Sequence, residues 1–113
     1  MTSLRQRRVA EFLRQEISLI AMELTDPRLA YVDVTDVEVS ADLRHARVFV
    51  ADVEESDHKN EILEALEHAS GHIRRELAQR GTLRYVPELS FHWDSSVEHG
   101  RRIDDLLRQV GLR

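Results

Sequence analysis

The chain has no cysteine. Disulfides, thiolate catalysis and cysteine-based zinc or iron–sulfur centres are therefore excluded. No apolar run approaches the ~18 residues of a membrane span. The basic start, Met1 to Arg8, is not followed by the apolar core of a signal peptide, so cytosolic residence is the expectation. There is no nucleophile elbow, no phosphate-binding loop, no internal repeat and no low-complexity linker. Lysine is almost missing as well: Lys59 stands alone, and every other cation is an arginine. Arginine offers a planar five-donor fork suited to phosphate, although a base-composition bias in the genome would produce the same skew.

What is present suits one soluble domain. The 113 residues are 42% hydrophobic and 33% charged. A chain of this length buries roughly 65% of its unfolded surface, enough for one modest core. The formal net charge is −5, which alone argues against a nucleic-acid partner. The distribution says more than the sum. Acids crowd Asp52 to Glu67, and cations crowd Arg5 to Arg14 and Arg74 to Arg84. The molecule is expected to be bipolar, with a negative lobe and a positive surface.

Apolar spacing organises the chain. Val9, Phe12, Leu13, Ile17, Ile20 and Leu24 form one stripe of a helix over Ser3 to Leu24, with Ser3 as N-cap. Arg7 and Arg14 fall opposite the stripe. Asp26-Pro27 stops the helix, because a residue before proline avoids helical angles. Tyr31 to Val39 reads as a strand whose alternation slips. A bulge near Thr35-Asp36, or an irregular entry, accounts for the slip. Ser40-Ala41-Asp42 is a turn, and Ala46 to Val50 is the second strand of a hairpin. Ala46, Val48 and Val50 share one face; Arg47 and Phe49 share the other.

Ser56 is placed as the cap of a second helix, with Asp57 in its first turn, running to Ala69. A third helix is expected from Gly71 or His72 to Arg80, with Gly81 as C-cap. Pro87 to Trp93 alternates as a third strand. Ser95 to Glu98 matches a capping box for a terminal helix carrying Ile103, Leu106, Leu107 and Val110. The expected form is an α+β sandwich, with helices on one face of a three-stranded sheet.

The stretch from Leu66 to Leu77 is the most informative. Ile62, Leu66, Ala69, Ile73 and Leu77 keep helical spacing straight through Gly71, at a cost of about 1 kcal/mol relative to alanine. Arg74 and Arg75 follow at once. A break at Gly71 and a fresh helix start would expose the amides of Gly71, His72 and Ile73 to a phosphate. The plain alternative is a kink between packed helices with both arginines solvated.

At this point a resemblance is visible. Arg7-Arg8-Val9-Ala10, Thr25-Asp26-Pro27-Arg28-Leu29, and Val34 to Ser40 with Asp42-Leu43 and His45-Ala46 carry it. So do Ala69-Ser70-Gly71, Arg84 to Phe91, Asp94-Ser95-Ser96 and Gly100 to Ile103. In this order and spacing the chain resembles the bacterial ribosome-binding factor A family over nearly its whole length. The resemblance implies a type II KH-like fold, α-β-β-α-α-β, plus a short C-terminal helix. In it an Ala-x-Gly interruption, here Ala69-Ser70-Gly71, replaces the usual G-x-x-G loop. It also implies binding to the small (30S) ribosomal subunit and 16S rRNA during late maturation, support of rRNA 5′-end processing, and no cofactor. Family members often carry a further polar tail beyond the position of Arg113.

The resulting RNA-contact candidates are Arg5, Arg7, Arg8, Arg44, Arg47, Ser70, Gly71, His72, Arg74, Arg75, Arg80 and Arg84. With only one glycine in the motif, docking on folded rRNA is expected rather than sequence-specific reading of a single strand. Phe49 could stack on a base or pack under a helix, and Tyr85 and Trp93 read as core or rim. His68 and His72 have zinc spacing but lack the intervening glutamate of H-E-x-x-H, so no metal is expected. A non-enzymatic monomer is the reading. The alternative is a module that docks through ribosomal proteins, which the acidic segment would favour.

Overall fold

The computed structural model describes residues 2–52, 57–81 and 83–96. The first helix, α1, spans Leu4–Glu23, with Ser3 as N-cap and Leu24 as C-cap. Ser3 and Gln6 form a reciprocal capping box, the S-x-x-Q pattern that satisfies two otherwise orphaned amides. A 3-10 turn over Pro27–Leu29 follows and leads into β1, Val32–Val39. Strand β2 is His45–Asp52, α2 is Lys59–Arg80 and β3 is Glu88–Trp93. The apolar positions Ile103, Leu106, Leu107 and Val110 of the expected terminal helix, its capping residue Glu98 and the Ser56 cap lie outside the described residues.

The sheet runs in the order β1-β2-β3. β1 and β2 form the expected antiparallel hairpin, and β2 pairs with β3 in parallel. A parallel pair needs a crossover, and α2 supplies it. The bulge anticipated near Thr35 is present: Val34 pairs with Val50 and Asp36 with Phe49, which leaves Thr35 as the extra residue. The insertion brings Val34, Val37 and Val39 onto one face, all buried. The Thr35 hydroxyl donates to the Asp94 carboxylate, which ties the bulge to the end of β3.

Both helices cover that same face. Leu13, Ile17 and Ile20 of α1 meet Ile62, Leu66, Ile73 and Leu77 of α2 over Ala46, Val48, Val50 and Phe91. The opposite face carries cross-strand polar pairs, Glu38 with Arg47 and His45 with Glu88. Phe49 lies on this second face, with its ring centroid 5.5 Å from that of His92. It therefore does not pack under α1 or α2.

The type II KH-like arrangement holds, with one change. The two helices expected on either side of Gly71 are a single unbroken α2. The glycine faces outward, so the buried stripe passes it without interruption. Burial of Ile73 and Leu77 gives about 1.5–3 kcal/mol each, which outweighs the roughly 1 kcal/mol glycine penalty. The start of α2 is also later than expected. His58 is the N-cap and makes no side-chain capping bond, so Asp57 precedes the helix and Glu61 is the acid of the first turn.

Gly81 does stand at the C-cap, but its backbone is extended, at φ −132°. It is not the left-handed cap that usually calls for glycine. Its reason is space: a Cβ there would lie 2.3 Å from Phe12 Cζ.

Candidate nucleic-acid interface

The candidate arginines separate once their partners are seen. Arg80 lies among three carboxylates, 2.7 Å from Glu23, 3.6 Å from Glu16 and 3.7 Å from Glu76. Its pKa is raised, chiefly by the hydrogen bond to Glu23. It joins α1 to α2, and its charge is already compensated. Arg47 is paired across the strands with Glu38. Arg74 donates from Nε to the Pro87 carbonyl at 3.1 Å and from Nη2 to the Val86 carbonyl at 3.0 Å. Its fork holds the segment before β3 against α2, so the expected phosphate contact gives way to a structural one.

Arg74→Ala should therefore lower stability by about 1.5–3 kcal/mol, the range for hydrogen bonds to a charged group. Thermal melting would show a fall of roughly 10 °C. Lysine should not restore it, because an ammonium lacks the two-pronged geometry. An unchanged melting temperature would mean that this side chain points into solvent.

The amides of Gly71, His72 and Ile73 are also unavailable. They sit in the interior of α2, where each N–H bonds the carbonyl four residues earlier. No helix start exists there to attract an anion. What α2 does offer is an outward face on which Gly71, His72 and Arg75 are exposed or nearly so and Ser70 is half-buried. His72 lies 3.9 Å from Glu76. A Cβ on Gly71 would meet only the Arg75 guanidinium, at 3.5 Å. Gly71→Ala should accordingly stabilise the protein by about 0.5–1 kcal/mol. A melting temperature higher by a few degrees checks this, whereas a drop would point to a bent helix at that residue.

The fold brings three of the candidates together. Arg5, Arg44 and Arg84 line one groove of about 440 Å³, with Val9, Asp42, Leu43, Leu83 and Tyr85. They come from the first turn of α1, the β1–β2 turn and the segment after α2. Hydrogen bonds hold these three walls in place. Gln6 Nε2 donates to the Val39 carbonyl at 2.9 Å, docking the start of α1 on the hairpin. The Glu88 N–H donates to the Arg44 carbonyl at 2.9 Å, docking the hairpin on β3. Arg74 docks the third wall.

The β1–β2 turn is shaped to turn Arg44 outward. The Leu43 N–H donates to the Ser40 carbonyl at 2.9 Å, and Leu43 has φ 62°, an uncommon value for a branched residue. Leu43 packs against the core from there, leaving Arg44 exposed. Asp42 is the one acid among the described residues that line the groove. Its carboxylate accepts from the Ser40 hydroxyl and from the Arg44 N–H at 3.0 Å. These bonds hold its pKa below the usual range, with the Ser40 hydroxyl the main cause, and they direct its charge into the turn. None of Arg5, Arg44 and Arg84 forms an ion pair with a described residue. Arg7 and Arg8 are exposed on α1, close to the same end.

Tyr85, expected at the core or its rim, is 52% exposed. The Arg44 guanidinium lies 5.7 Å from its ring centroid. The signal in the sequence is its position directly after Arg84, outside any strand alternation. Among the described residues there is no group of histidines and acids able to hold a metal. No described helix is long and apolar enough to cross a membrane.

Comparison with known proteins accords with this architecture. The family model for ribosome-binding factor A matches residues 5–107. The chain belongs to the ribosome-binding factor A family. The family member of Thermomicrobium roseum is 50% identical over 111 residues, covering 97% of this chain and 86% of its own. That of Halothermothrix orenii is 48% identical over 107 residues, covering 94% and 88%. Among solved structures, the Thermus thermophilus ribosome-binding factor A superposes with a TM-score of 0.72 at 27% identity, over 78% of this chain and 93% of that one. A Thermus thermophilus homology model fitted into a cryo-EM map of a 30S complex gives a TM-score of 0.62 at 26% identity, over 84% and 97%.

Proposed function

We propose that the chain is a single-domain, monomeric, non-catalytic factor that binds the small (30S) ribosomal subunit through 16S rRNA in the cytoplasm. It acts during late maturation, supports processing of the rRNA 5′ end and needs no cofactor. The observation that carries this reading is the convergence of Arg5, Arg44 and Arg84 in one groove in a chain whose net charge is −5. Cations without an ion pair among the described residues, gathered against the overall charge, are the footprint expected for phosphate contacts. Membership of the ribosome-binding factor A family and the 30S complex of a relative support the choice of ribonucleoprotein.

Orientation follows from the charge pattern. Glu61, Glu64 and Glu67 lie on the first half of α2, and all three are exposed. That end is turned away from rRNA, or toward a basic ribosomal protein. This second contact favours docking in which ribosomal proteins share the interface. To promote maturation the factor must prefer an immature subunit, since a ligand shifts an equilibrium only by its differential affinity for the two states.

The test is binding of the full chain to mature subunits, immature particles and naked 16S rRNA across a salt series. Affinity for immature particles and naked rRNA that falls steeply with salt is the expected result. Binding to particles but not to naked rRNA would transfer recognition to ribosomal proteins, and absence of binding to all three would overturn the reading.

A further inference from the structure

The groove contains more than a phosphate site requires. Phosphates are met by exposed cations, and duplex RNA presents its backbone on a convex surface. An apolar floor and an aromatic ring add nothing to such a contact. Yet Val9, Leu43 and Leu83 floor this groove, and Tyr85 stands at its edge with half of its surface exposed. An aromatic face beside guanidinium groups suits the flat face of an unstacked base.

Resting on the reading that this surface meets RNA, we propose that the groove is a subsite for one unpaired nucleotide, its base stacked on Tyr85 and its flanking phosphates held by Arg5 and Arg84. The volume, about 440 Å³, lies in the lower part of the range for small-ligand pockets, roughly 300–1,000 Å³. Arg44 already lies over the Tyr85 ring at 5.7 Å. It has no ion pair with a described residue, so it is free to move outward and cover the other face of the base. Asp42 keeps its negative charge, but its carboxylate is engaged by the Ser40 hydroxyl and the Arg44 amide, and three guanidinium groups outnumber it in the groove. None of Ala69, Ser70 and Gly71 lines this groove. It is held by the Arg74 bonds to the carbonyls of Val86 and Pro87, immediately after the stacking residue.

The experiment compares two RNA hairpins of equal length with the full chain. One carries a single bulged 2-aminopurine, and the other is fully paired with the same fluorophore inside the stem. The wild-type chain should bind the bulged hairpin about 10-fold more tightly, the worth of one base–aromatic stack, and quench its fluorescence. Tyr85→Leu should lose both the preference and the quenching, while Tyr85→Phe keeps them. Arg5→Gln should weaken both hairpins alike. Equal wild-type affinity for the two hairpins, no quenching by the wild type, or a preference that survives in Tyr85→Leu would overturn the subsite while leaving RNA binding intact. Failure of both hairpins to bind would overturn the RNA reading and the subsite together.

Discussion

Replacing Arg5, Arg44 and Arg84 together by glutamine should lower affinity for immature small subunits by about 100-fold at low salt. This magnitude takes roughly 1 kcal/mol for each lost contact, the net worth of an ordinary hydrogen bond and less than the roughly 1.5–3 kcal/mol of a buried charged one, because these contacts are solvent-exposed. The slope of log affinity against log salt should flatten by about two to three units, since each phosphate contact contributes about 0.7–0.9. The fold should persist, because none of the three arginines forms an ion pair with a described residue and the exposed Arg44–Tyr85 contact is worth about 0.5–1 kcal/mol. Thermal melting before the binding series separates the two effects. Arg28→Gln is a suitable control: that guanidinium is held by Asp26 at 2.7 Å and should change affinity little. An unaltered salt slope in the triple variant would place the interface elsewhere, with the acidic end of α2 as the next surface to test.

Gly81→Ala should cost about 2 kcal/mol, within the 1–3 kcal/mol typical of overpacking, and lower the melting temperature by roughly 10 °C. The obstacle is steric. A Cβ at this position would sit 2.3 Å from Phe12 Cζ and 3.0–3.1 Å from both Cε atoms. The ring is packed against the core, so it cannot simply swing aside. The backbone itself is unstrained, since extended angles suit any residue. This distinction can be measured. Phe12→Leu should cost about 1 kcal/mol alone, yet recover part of the loss when combined with Gly81→Ala, giving a coupling energy above the ~0.5 kcal/mol of independent sites. Strict additivity would show that Phe12 is not the obstacle.

Much of the fold is legible because its determinants are local. Ser3 and Gln6 are three residues apart, and their capping box sets the start of α1. Asp26-Pro27 ends it by a steric rule acting between neighbours. The slip in the valine alternation announces the bulge, and the register between Val34 and Asp36 places it at Thr35. Gly71 misdirects the reading of α2 for an equally physical reason. Its intrinsic cost is visible in the chain, whereas the burial of Ile73 and Leu77 that outweighs it comes from contacts with distant strands.

The candidate site is half legible. Arginine in the three segments that line the groove is plain, and so is its contrast with the acids from Asp52 on. Which arginines are free is not. Arg80 is compensated by Glu23, 57 residues away, and Arg74 by carbonyls 12 and 13 residues on. Tyr85 is marked in the sequence only by its place after Arg84, outside the strand alternation; its 52% exposure is set by the packing around it.

By itself, then, the sequence determined the strands, the helix boundaries set by capping and proline, the apolar stripes and the family. Each of these is decided by residues within a few positions of one another or by their order along the chain. Only the tertiary structure decided that α2 runs unbroken, that Gly81 is held by Phe12, and that Arg5, Arg44 and Arg84 share a groove while Arg74 and Arg80 are committed to the scaffold. Those outcomes depend on which side chains the crossing of α1, the hairpin and α2 brings within about 4 Å, the reach of a packing contact, and no local pattern encodes that distance.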